Sequence, residues 1–131
     1  MKYLLLLFGD EEGWENPSED ALQAELARYE QYDRELNEAG VFVSGEGLQP
    51  TPTATTMRIV GGERILTDGP FAETKEQLGG FYVLECKDLD DALAWAERCP
   101  ASGDGSIEVR PVMDYEALGY EQSAGSQEES R

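Results

Sequence analysis

Histidine is absent from this 131-residue sequence, cysteine occurs twice, and basic residues number 10 against 28 acidic ones. Without imidazole, histidine acid/base chemistry and the serine–histidine and cysteine–histidine nucleophiles are excluded. Cys86 closes an expected strand and Cys99 closes the expected helix after it, so the intervening helix holds the two beyond bridging distance and two free thiols are expected. Such a residue set offers no metal site of imidazole or thiolate type, and no cofactor is expected. Lysine is confined to Lys2, Lys75 and Lys87, and the formal net charge is −18. A field of that sign repels phosphate backbones and anionic headgroups, so neither nucleic acid nor a membrane surface is an expected partner. Long apolar runs are missing too. The opening MKYLLLLFGDEE turns acidic too soon for a signal peptide or a span, and a cytoplasmic address is expected.

What is present suits one domain: 40% hydrophobic residues are enough for a single core at this length. Lys2 to Phe8 reads as a strand. Ser18 is a good N-cap, Glu19 and Asp20 favour the positive helix end, and a helix is expected from about Glu19 to Ala39, stopping at Gly40. Its apolar stripe reads Leu22, Leu26, Tyr29, Leu36, with Asp33 inside it. That carboxylate is either matched to a cation or sits at the wet edge of the helix. Val41 to Glu46 is a second strand, followed by the proline-interrupted loop GLQPTPTA. Thr55 to Val60 and Arg64 to Thr67 flank Gly61-Gly62, a strong hairpin signal. Gly80 to Cys86 is a strand, Asp88 caps a helix over Leu89 to Arg98 that Pro100 ends, and Ile107 to Met113 is the last strand.

The order is β-α-β, an inserted hairpin, then β-α-β, which without the hairpin is the split pattern of a ferredoxin-like α+β fold. That topology buries its first and third core strands in the middle of the sheet, and YLLLLF and GFYVLEC are the two runs apolar on both faces. Two helices cover one face of such a sheet, so the other needs a cover. A partner subunit's sheet is the simplest one, giving a C2 homodimer packed sheet to sheet with pockets for a small-molecule ligand between sheet, helix and inserted loop. Residues 1–115 form this domain, and the acidic polar tail 116–131 is expected to be largely disordered; the lesser alternative docks it on the partner through Leu118 and Tyr120.

Between the hairpin and the third core strand lies TDGPFAETKEQLGG. Asp68 can accept hydrogen bonds from the amides that follow it, Gly69 can take a positive φ, and Pro70 fixes the next one, so a sharp turn is specified. Phe71 would anchor it, AETKEQL has the composition for one or two helical turns with Phe71, Lys75 and Leu78 on one side, and Gly79-Gly80 would let the chain bend into the strand. Turn chemistry accounts for these residue types, yet Lys75 stands near Asp68 in the chain, and in a closed pocket the two could act as acid and base. An exposed ion pair is the plainer reading. Arg58, in TTMRIV, and Arg110, in EVRPV, alternate with apolar neighbours and face either a cleft, where each could bind a substrate carboxylate, or solvent, where they keep an edge strand soluble.

The run DGPFAETKEQLGGFYVLE, together with AGVFVSGEGLQP, TATTMRIVGG, DLDDALAWAERCP and EVRPVM, closely resembles the YCII-related family in its DGPF-motif branch of small bacterial proteins, over about Met1 to Tyr115. The resemblance implies a ferredoxin-like domain assembled as a dimeric α+β barrel, and a link to sigma-factor signalling, since members of the branch are often encoded beside extracytoplasmic-function sigma factors. Relatives elsewhere in the family have been proposed to use a His-Asp pair in a sheet cleft; the aspartate has its counterpart in Asp68, and the histidine has none here. Two functional readings remain. In one, the dimer is a non-catalytic small-molecule-binding or interaction module. In the other, a small apolar or carboxylate-bearing compound enters a pocket lined by Tyr3, Tyr29, Phe71 and Tyr82, with Asp68 as base and Lys75 or Arg110 stabilising negative charge in an isomerase- or lyase-like reaction that uses no cofactor.

Overall fold

The computed structural model of the chain describes residues 1–14 and 16–120, with the Trp14 side chain outside that description. Among the described residues six strands and three α-helices follow in the order β1 (Lys2–Gly9), α1 (Glu19–Glu38), β2 (Phe42–Gly47), β3 (Thr55–Val60), β4 (Glu63–Asp68), β5 (Gln77–Glu85), α2 (Leu89–Arg98), α3 (Ala101–Asp104) and β6 (Ser106–Pro111). Local chemistry sets the helix ends. Ser18 Oγ accepts from the Ala21 amide at 3.1 Å to open α1, and Gly40 leaves it at φ 73°. Asp88 Oδ1 accepts from the Asp91 amide at 2.9 Å to open α2.

β2, β5, β1 and β6 make a four-stranded sheet in that order, each neighbouring pair antiparallel. With the β3–β4 hairpin set aside, this is α+β and consistent with the ferredoxin-like fold, the first and third core strands in the middle. Alternation then divides the central strands. Tyr3, Leu5, Leu7, Tyr82 and Leu84 point to one face and are buried against Tyr32 and Leu36 of α1 and Ala92, Trp95 and Ala96 of α2. Leu4, Leu6, Phe81 and Val83 point to the opposite face, where Leu6 pairs with Phe81 and Leu4 with Val83. These four are half-buried. The core cluster that holds the helices lies wholly on the first side.

β3 and β4 form a sheet of their own, separate from the larger one. This arm is rooted through the loops beside it: the Leu48 amide donates to Gly79 O at 2.9 Å, and the Thr51 amide and hydroxyl donate to the Glu11 carboxylate at 2.9 and 2.7 Å.

Three expectations change. AETKEQL makes no helical turn: residues 71–76 are bends and loop, and Gln77 and Leu78 already belong to β5, opposite Gly9 and Phe8. Strand pairing outweighs the helical propensity of a short polar segment with no apolar face to bury. Gly79 and Gly80 do not bend the chain into a strand; they lie inside β5, and a Cβ on Gly80 would stand 2.8 Å from Glu46 O, so glycine there permits close approach of β2. In α1 the buried residues are Tyr32 and Leu36, while Leu22 and Leu26 at the other end are exposed. The expected tail falls mostly at 121–131, outside the described residues; before it, the Tyr120 amide returns to Tyr115 O at 2.8 Å and the two rings meet edge to face, with Leu118 exposed.

Candidate functional site

The residues singled out in the sequence lie in three places. Tyr3 and Tyr82 belong to the buried cluster under the helices, and Tyr29 packs against it. Tyr82 Oη donates to Asp33 Oδ1 at 2.6 Å, so Asp33 is neither matched to a cation nor left at a wet edge: it is a half-buried acceptor for a core phenol. Burial, then the hydrogen bond to Asp33 and its negative charge, raise the Tyr82 pKa; burial likewise raises those of Tyr29 and Tyr32. The Tyr82 ring meets Tyr32 edge-on at 5.3 Å and lies over Gly45, where a Cβ would stand 2.7 Å from its Cδ1. This cluster is packed and satisfied. Its chemistry is that of a core.

Arg58 and Phe71 sit together on the arm. The guanidinium lies over the Phe71 ring at 5.4 Å from its centroid, and Phe71 is 77% exposed. Cross-strand pairing puts Thr56, Arg58, Ile65 and Thr67 on this side, and Met57, Ile59, Leu66 and Asp68 on the other. Asp68 is exposed, and among the described residues its carboxylate has no hydrogen-bond or ion-pair partner. The turn expected of it is held by other groups: Gly69, at φ 101°, donates its amide to Ala54 O at 2.8 Å, and Thr56 Oγ1 donates to Gly69 O at 2.8 Å.

Arg110 lies on β6 opposite Leu4, at the margin of the sheet face away from the helices, and pairs with Glu108 on the same strand. Lys75 is exposed in the loop before β5. No hydrogen bond or ion pair joins any two of Asp68, Lys75 and Arg110 among the described residues. One further feature escaped the sequence: an open crevice of about 580 Å³ between α1 and the α2–α3 corner, lined by Arg28, Gln31, Arg98, Cys99, Pro100 and Ser102. Its guanidiniums are already occupied, Arg28 by Glu25 at 2.8 Å and Asp104 at 3.3 Å, Arg98 by Glu35 at 2.7 Å, and α2 directs the negative end of its dipole there. The crevice therefore has little to offer an anion. Cys99 at its base is 1% exposed, and burial pushes its thiol up to about 11.

A helix-covered face, a bare apolar face and an arm carrying the DGPF turn make a distinctive frame, and the YCII-related domain model matches residues 1–116. The chain belongs to the YCII-related family. It is also similar to uncharacterised protein R00369 of Rhizobium meliloti (strain 1021), with 39% identity over 120 residues, spanning 88% of this chain and 94% of that protein. In this YCII-related chain Asp68 is stationed at the foot of the arm, opposite Thr55. Among the described residues no helix is long and apolar enough to cross a membrane.

Proposed function

We propose that the chain works as a homodimeric small-molecule-binding module whose cleft lies between the helix-free sheet faces of two copies. The observation that carries this reading is the bare face itself. Leu4, Leu6, Phe81 and Val83 form a contiguous apolar floor in the middle of the sheet, with charged Arg110 and Glu108 along one margin and Glu46 along the other. A floor of that kind is usually covered by a subunit or a ligand. The ligand class it suits is small and largely apolar, with a carboxylate that would compete with Glu108 for Arg110. Benzoate is a suitable probe. In a titration followed by amide and methyl NMR shifts, the changes should fall on Leu4, Leu6, Phe81, Val83 and Arg110 of a protein that sediments as a dimer. A monomer at micromolar concentration, or shifts confined to the α1–α2 crevice, would overturn the reading.

A catalytic reading is favoured by one observation: Asp68 is an exposed carboxylate without a hydrogen-bond or ion-pair partner among the described residues. It also requires Lys75 or Arg110 to meet Asp68, and no hydrogen bond or ion pair among the described residues joins them. An interaction module tied to sigma-factor signalling rests on the resemblance alone, and no described residue carries it.

A further inference from the structure

Packing on its own domain does little to hold the β3–β4 arm. Every residue of β4 is exposed, and in β3 only Thr56 is half-buried. No strand pairing joins the hairpin to the larger sheet. Its base is nonetheless one piece: Thr55 pairs with Asp68, the Gly69 amide donates to Ala54 O at 2.8 Å, and Thr56 Oγ1 donates to Gly69 O at 2.8 Å. Whatever fixes the posture of that piece must act on the two legs that join it to the body, residues 48–53 coming in and 70–76 going out.

Both legs are fastened at one residue of the loop between β1 and α1. The Glu11 carboxylate accepts from the Thr51 amide at 2.9 Å and from the Thr51 hydroxyl at 2.7 Å, so both of its oxygens hold the incoming leg. The Glu11 amide donates to Gln77 Oε1 at 3.0 Å, and Gln77 Nε2 donates to Thr74 O at 2.8 Å, which holds the outgoing leg. Gln77 belongs to β5, so this bridge is anchored in the larger sheet. Glu11, Thr51 and Gln77 are half-buried, whereas Pro52, Thr53 and residues 70–75 are exposed. Partial shielding from water strengthens bonds to a charged acceptor such as the Glu11 carboxylate. Two other ties, Leu48 to Gly79 and Ser106 Oγ to Glu76 Oε1 at 2.7 Å, sit next to the strands and fix where the legs leave the sheet, not where the arm points. We propose that Glu11 and Gln77 form a latch: closed, it sets the direction of the arm through both legs, and open, it frees the arm to turn as one rigid piece about residues 49–53 and 70–75. The latch belongs to a single copy and goes beyond the dimeric reading, on which it does not depend. It couples the loop before α1 to the posture of the Arg58–Phe71 pair, so a displacement of that loop releases the arm.

The test is a set of amide residual dipolar couplings and hydrogen-exchange rates on the full chain and two variants. In the parent, couplings from the arm and from the four-stranded sheet should fit one alignment tensor. In Glu11→Ala the arm should need a tensor of its own with a smaller magnitude, couplings within the arm should still agree with one another, and the Thr51 amide should exchange at least roughly tenfold faster. Gln77→Ala, which frees the outgoing leg and leaves the Glu11 carboxylate in place, should show a smaller change in the same direction. An arm that already needs its own tensor in the parent would overturn the latch, as would a Glu11→Ala arm that still shares the sheet's tensor or whose couplings fit no single tensor. A Gln77→Ala arm as firmly aligned as the parent's would overturn the bridge to the outgoing leg. None of these outcomes bears on the dimeric reading, which sedimentation decides separately.

Discussion

The Asp68 carboxylate contributes nothing visible to the turn that bears it, since backbone and Thr56 hydroxyl bonds hold Gly69 in place. Replacing it should therefore be nearly free: Asp68→Ala is expected to change unfolding free energy by less than about 0.5 kcal/mol, as for surface substitutions generally. Thr56→Val, which removes a hydroxyl bond, should cost about 1 kcal/mol. Urea unfolding at one fixed protein concentration checks the ranking. A larger loss for Asp68→Ala would return the carboxylate to a structural role. At this scale the sequence was legible where backbone chemistry is local, as at Ser18, Asp88 and Gly69, whose residue types serve the turns and caps they occupy. It was silent on Tyr82 and Asp33, because a bond across 49 positions leaves no local trace. Tyr32 was missed for a related reason. The stripe Leu22, Leu26, Tyr29 and Leu36 looks continuous, and only the sheet beneath decides which part of it finds a cover.

The pairing of β2 with β5 depends on an asymmetry between two facing glycines. Gly47 and Gly80 are register partners, yet a Cβ on Gly47 meets nothing within 4 Å while one on Gly80 meets Glu46 O at 2.8 Å and Gly47 Cα at 3.4 Å. Gly80→Ala must push two backbones apart and is expected to cost about 1–3 kcal/mol, as overpacking does. Gly47→Ala should stay within about 0.5 kcal/mol. Equal effects in thermal unfolding would refute this account of the close approach. Strands were legible as elements because YLLLLF and GFYVLEC are too apolar for an edge. The AETKEQL segment was misread because its composition favours helix while its last two residues are claimed by β1. That pairing partner lies roughly 70 positions upstream, beyond what propensity can see.

The α+β architecture follows from the order of elements, and so does the bare sheet face, since two helices cannot cover both sides of four strands. The arm's isolation does not follow. Its alternation of Met57, Ile59, Ile65 and Leu66 reads the same whether the ribbon packs on its own domain, on another copy or on nothing. The site residues were scattered for the same reason: strand parity sends Tyr3 and Tyr82 to the helices, and the arm carries Arg58, Phe71 and Asp68 away. What the whole molecule does share is a set of buried acids that resist ionisation. Burial raises the pKa of Tyr29, Tyr32 and Tyr82 above the ordinary 10.0, that of Cys86 above 9.0, and that of Cys99 from 9.0 to about 11. A raised pKa in the folded state means that the folded chain keeps protons the unfolded chain has released. Stability is then fully present below the unfolded values and declines as pH climbs past them. Each such group can remove up to about 1.4 kcal/mol per pH unit over its window. The urea midpoint should therefore hold steady up to about pH 9 and fall between about pH 9 and 11, the span over which Cys99 ionises first in the unfolded and then in the folded chain. Tyr82→Phe should soften the fall above pH 10, where the free phenol ionises. A midpoint that stays level or rises across that range would show that the tyrosine and cysteine cluster is open to water in solution, and the packed core under α1 and α2 would have to be redrawn.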